Sequence, residues 1–162
     1  MSFAKINIKV HPVVFRYIDN NFTKIDGGYD IEKSPLYFAI TSMLIRSNVQ
    51  MPSDVGKKYD KFKEISIFIS KRDFYNYGHT ISQLQQYIFS KFIYNFIIND
   101  ICTQIMYMHV YGRVTRNKAI NTVLLNNLFE EDELNYEYLR KIYQRRFLKK
   151  EVKFKTVKIW KI

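Results

Sequence analysis

Cysteine is almost absent: Cys102 is the only one in 162 residues. That excludes a disulfide framework within the chain, and it leaves a thiolate zinc site without enough ligands. Because Cys102 sits in a strongly apolar run, it reads as a small buried hydrophobe. Proline and glycine are scarce, at three and five residues, which excludes collagen-like or linker-like character. No Gly-rich phosphate loop occurs. Histidine occurs three times, as His11, His79 and His109, without the companion spacing of a metal site. Glu151-Val152-Lys153 has the Glu-x-Lys order of a nuclease strand, but no acidic partner at suitable spacing precedes it. The expectation is therefore a non-enzymatic protein that needs no cofactor. Met1 to Asn7 lack the apolar core of a secretory signal, so the expected location is the cytoplasm.

Apolar residues, at 47% of the chain with 17% aromatics, supply enough material for a core and argue against disorder. Ile, Lys, Asn, Tyr and Phe share AT-rich codons and dominate the sequence, while Ala occurs three times. Such a bias fits a phage, a mobile element or an AT-rich bacterium, among other sources, and it raises the lysine count without selection for function.

Acidic residues are outnumbered 15 to 26 by Lys and Arg, for a net charge of +11. The excess is uneven. The 25 residues from Tyr138 to Ile162 hold ten basic side chains against Glu151 alone. A basic C-terminal segment on a folded body is an electrostatic footprint for phosphate or anionic surfaces.

Periodicity divides the chain. Ile6, Ile8 and Val10 alternate with polar residues, which predicts a half-buried strand over 4–10. His11-Pro12 starts a helix, Gly27-Gly28 marks a turn before a short strand near 29–31, and Ser34-Pro35 starts a second helix. Residues 47–60 read as a connecting segment. Ile65, Ile67 and Ile69 predict a strand over 64–70 that pairs with the first. From Thr80 to Tyr111 the pattern is helical throughout, with Gly112 as its stop. Phe92–Tyr111 carries one charge, Asp100, in 20 positions. Asn95, Asn99, Thr103, Gln104 and His109 interrupt it, so a buried central helix is favoured over a membrane span. Phe92, Phe96 and Ile105 are then expected in its core-facing surface. Two shorter helices follow, over 116–129 and 136–150, with Tyr138, Leu139, Ile142 and Tyr143 facing inward on the second. The tail 152–162 alternates Lys with apolar residues, as an edge strand or extended arm would.

The expected fold is thus α+β and predominantly helical: a small N-terminal sheet with two helices, a long central helix, a basic helix pair and a basic tail. The expected parts are 1–78, 79–150 and 151–162. The helix pair has the outline of a helix-turn-helix unit, with a longer and acidic link at Glu130–Glu133. On its second helix Lys141, Arg145 and Lys149 fall on one line, with Arg146 and Lys150 beside them. Arg140 and Gln144 flank that line as groups able to read base edges. Arg113, Arg116 and Lys118 add phosphate contacts from the preceding turn and helix. The expected partner is nucleic acid, DNA rather than RNA, with self-association as a second mode and no membrane. The alternative is an assembly protein of the virion type, whose basic part meets nucleic acid or an acidic subunit.

Overall fold

Strict alternation builds the sheet. In the computed structural model, which describes residues 3–44 and 61–148, strand β1 (Phe3–Val10) buries Ile6, Ile8 and Val10 and exposes Lys5, Asn7 and Lys9. Strand β4 (Lys63–Ser70) buries Ile65, Ile67 and Ile69. The two pair antiparallel with Ile6 opposite Ile67 and Ile8 opposite Ile65, so the apolar sets of both strands share one face. Between them in sequence come β2 (Lys24–Ile25) and β3 (Gly28–Asp30), a hairpin whose strand β3 runs parallel to β4 on the side away from β1. The sheet order is β1-β4-β3-β2. The hairpin turns on Asp26 and Gly27, both at positive φ (45° and 74°), as a two-residue loop that follows strand twist requires. Gly28 is needed for a different reason: a Cβ there would lie 2.9 Å from the Phe68 ring.

Helix α1 (Pro12–Asn21) opens with Pro12 in its first turn, and the His11 ring accepts a hydrogen bond from the Val13 amide. It buries Val13, Val14 and Ile18. Helix α2 (Pro35–Thr41) also opens on proline and buries Leu36, Tyr37 and Ile40. Tyr29 donates to Asp19 at 2.6 Å, and burial together with that carboxylate pushes its phenol up to about 12. Helix α3 (Lys71–Tyr77), which periodicity does not predict, begins where Ser70 Oγ accepts from the Asp73 amide at 3.1 Å. Asp73 in turn accepts from the Tyr37 and Ser70 hydroxyls, tying α2 to the end of β4.

Helix α4 (Gln83–Met106) is the long helix that the pattern anticipates, and it passes into a π-helical turn, Tyr107–Tyr111. Two of its side chains serve the end of β1 and the residue that follows it. Gln86 Oε1 accepts from the Lys9 amide at 2.8 Å, and the fully buried Ser90 Oγ accepts from the His11 amide at 2.7 Å. Four residues of helix rise about 6.0 Å and two residues of strand about 6.6 Å, so the spacings match. This seam fixes which way α4 faces. Phe89, Ile93 and Ile97 are buried, whereas Leu84, Ile88, Phe92 and Phe96 are 41–64% exposed. The expectation of buried Phe92 and Phe96 is therefore corrected, while Ile105 is buried as expected. The helix is apolar on all sides, so periodicity leaves its core-facing side undefined.

The chain divides into two compact units, one up to Ile97 and one from Ile98. In the second, Ile98, Ile101, Cys102 and Ile105 are buried, as are Ala119, Ile120 and Val123 of α5 (Arg116–Asn126) and Leu139 and Tyr143 of α6 (Tyr136–Tyr143). Tyr138 is exposed rather than inward. Helix α6 continues as a second π-helical turn, Gln144–Leu148. Gly112 stays at φ −78°, and the left-handed residue is Arg113 (φ 52°). Gly112 is needed because a Cβ would lie 2.7 Å from the Met108 carbonyl oxygen. Leu128 is 65% exposed and left-handed (φ 54°). The architecture is mixed α+β and mainly helical, with six α-helices and one four-stranded sheet among the described residues. The connecting segment 47–60 and the tail lie outside them.

Ser90→Ala leaves the His11 amide buried without an acceptor and should cost about 1–3 kcal/mol. Phe96→Ala, on the exposed side of the same helix, should cost less than about 1 kcal/mol. Urea denaturation of the two variants checks this order, and a larger loss for Phe96→Ala would contradict the assigned rotation of α4.

Candidate nucleic-acid interface

Helix α5 starts after Thr115, and α6 starts after Asn135, whose side chain accepts from the Tyr138 amide at 2.8 Å. The two starts are joined directly: Tyr136 donates to Asn117 Oδ1 at 2.7 Å. The chain between them, 127–135, includes the acidic residues Glu130–Glu133. A turn there closes through the Glu133 and Leu134 amides on the Glu130 carbonyl, each at 3.0 Å. Glu133 is buried, so part of the acidic link is inside the unit rather than on its surface. Acidic Glu137 in the first turn of α6 and basic residues in its last turn suit the helix dipole.

The basic residues separate into two groups. Arg113, Lys118, Lys141 and Arg145 are exposed, and none has an ion-pair partner among the described residues. Arg140 and Arg146 are engaged. Arg140 donates through Nε and Nη2 to Glu137 Oε2 at 3.1 and 2.8 Å. That hydrogen bond raises the guanidinium above its ordinary range. Arg146 donates to Asn99 Oδ1 on α4. Arg116 is half-buried, and its Nε is the one buried side-chain nitrogen or oxygen without a hydrogen-bond partner among the described residues. Gln144 is half-buried at the start of the π-helical turn. Lys149 and Lys150 lie outside the described residues.

A π-helical turn closes hydrogen bonds from residue i to i+5 rather than i+4. Over Gln144–Leu148 the i, i+4 spacing therefore no longer keeps residues on one straight line. Lys141 and Arg145 are both at the surface, on successive turns.

Sequence reasoning passes over the residues that fix Arg140 and Arg146. Glu137, three residues before Arg140, is a detectable helical pair; Asn99, 47 residues before Arg146, leaves no local signal. No group of three or more His, Cys, Asp or Glu able to hold a metal occurs among the described residues. No helix among them is long and apolar enough to cross a membrane. Compared with known protein families, curated proteins and solved structures, the chain matches none.

Burial pushes the Cys102 thiol up to about 11, against a smaller opposing pull from the Arg146 charge. A thiol raised in the folded state favours folding at neutral pH, and that contribution is lost as pH rises from about 9 through about 11. Native protein at pH 8 should react with a thiol reagent far more slowly than urea-unfolded protein. Equal rates in the two states would contradict the burial of Cys102.

Proposed function

We propose that the chain is a non-catalytic DNA-binding protein that meets the phosphate backbone with the basic side chains of its second unit. The observation that carries this reading is the set of exposed cations without carboxylate partners among the described residues: Arg113 and Lys118 around the start of α5, and Lys141 and Arg145 along α6 and its π-helical turn. Lysine and arginine of this kind bind by displacing counterions from DNA, which requires no catalytic group. The α5–α6 pair supplies a rigid frame, the part that a helix-turn-helix-like reader needs. Arg140 and Arg146, held by Glu137 and Asn99, contribute field and shape more than direct contacts. A regulatory or architectural role in the cytoplasm fits this reading, and the AT-rich residue usage fits an origin in a phage or mobile element.

One observation favours the alternative, an assembly protein of the virion type. Leu84, Ile88, Phe92 and Phe96 repeat every fourth residue along the exposed side of α4, and an exposed apolar patch of that kind commonly marks a contact with other protein.

Gel-shift titrations of a duplex over a series of salt concentrations test the first reading. Lys141→Ala and Arg145→Ala should each lower the slope of log affinity against log salt by about one unit, for any duplex sequence. With Lys118→Ala added, affinity near physiological salt should fall at least about tenfold while thermal stability changes little, because these positions are exposed. Unchanged binding by the triple variant would overturn the DNA reading. If that variant instead failed to self-associate where the wild type does, the assembly reading would replace it.

A further inference from the structure

The first unit holds a cleft lined by residues of that unit. Its volume is about 530 Å³ and it opens to solvent, within the range of small-molecule sites. Four aromatic rings line it. The His11 ring meets Tyr94 edge-on at 4.7 Å and Phe62 at 6.0 Å, and Phe62 lies nearly parallel to Tyr87, 16° between planes. Lys61 and Lys91 also line it, both exposed, and no acidic side chain among the described residues does.

The cleft is built on rigid parts. Tyr87, Lys91 and Tyr94 follow one another at helical spacing along α4, which Gln86 and Ser90 clamp to β1. His11 is held by its backbone on Ser90 and by its ring on the Val13 amide. A preformed wall of this kind spares a ligand the ordering cost of binding.

Aromatic faces favour a flat, polarisable group through stacking, and lysine ammonium groups favour a phosphate as point charges. Asn95, exposed in the lining, adds an amide that can both donate to and accept from a base edge. We infer that this cleft binds a nucleoside phosphate, with the base against Tyr87 or Tyr94 and the phosphate held by Lys61 and Lys91. Its source is a free nucleotide or an unpaired nucleotide of a single strand. The inference stands apart from the DNA reading, since it uses no residue of the second unit.

Calorimetric titration of the full chain with thymidine monophosphate, thymidine and inorganic phosphate tests it. The monophosphate should bind at least about tenfold more tightly than either fragment. Lys91→Gln, at an exposed position, should weaken the monophosphate about tenfold and leave thymidine unchanged. Tyr94→Leu should weaken thymidine and the monophosphate together. Competition by a short oligothymidylate, run on the Lys118, Lys141, Arg145 triple alanine variant, identifies the source. Displacement of the monophosphate by the oligomer assigns the cleft to single strands, and binding of the monophosphate without displacement assigns it to free nucleotide. Absence of binding at millimolar monophosphate, or binding that neither substitution weakens, would overturn the inference whatever the outcome of the gel shifts.

Discussion

A strand edge left without a partner must find one in a helix or in water, and here a helix supplies it. Gln86 and Ser90 of α4 accept from the amides of Lys9 and His11. A serine hydroxyl removed from solvent is tolerated where it makes such a bond, and an amide removed from solvent needs one. With those two positions turned toward β1, helical geometry sends Phe89, Ile93 and Ile97 into the core and Leu84, Ile88, Phe92 and Phe96 to the surface. The same rotation sets Tyr87, Lys91 and Tyr94 into the wall of the cleft. Core, apolar surface and cleft thus share one cause, a polar match between two different repeats.

Much of the first unit is legible from the sequence because its signals are local. Alternation locates β1 and β4, proline locates the starts of α1 and α2, and the apolar alternation of both strands implies their pairing. Two elements escape. Strand β2 is two residues long, too short to show a period. Helix α3 buries none of its residues, so it has no apolar stripe; its signal is instead Ser70 followed three residues later by Asp73, a cap that can be read from sequence. The rotation of α4 is illegible for a different reason. Its two apolar rows, 84/88/92/96 and 89/93/97, are equally regular, and only hydrogen bonds to residues some 77–79 positions away choose between them.

The basic surface is legible as charge and much less so as geometry. Counting lysines and arginines finds Arg113, Lys118, Lys141 and Arg145, which the fold leaves exposed. Counting does not reveal that Arg146 is bound to Asn99 or that Arg116 is half-buried. It also does not foresee the π-helical turn at Gln144–Leu148, since a change from i+4 to i+5 bonding depends on what the helix packs against. The cleft is harder still. Its lining comes from His11, the two residues before β4 and α4, and only the α4 portion, Tyr87, Lys91 and Tyr94, repeats at a spacing that could have been noticed.

Two helical segments of the second unit end at residues that glycine would serve better. Arg113 and Leu128 hold left-handed backbone with full side chains, a conformation that costs an L-residue about 1–2 kcal/mol. Neither exit is occupied by one of the five glycines. Such strain persists only where surrounding contacts over-determine the backbone. In evolutionary terms, these two exits are a reserve. Each could relax through a change at an exposed position, which leaves the lineage stability to recover when substitutions elsewhere bring the chain near its folding threshold.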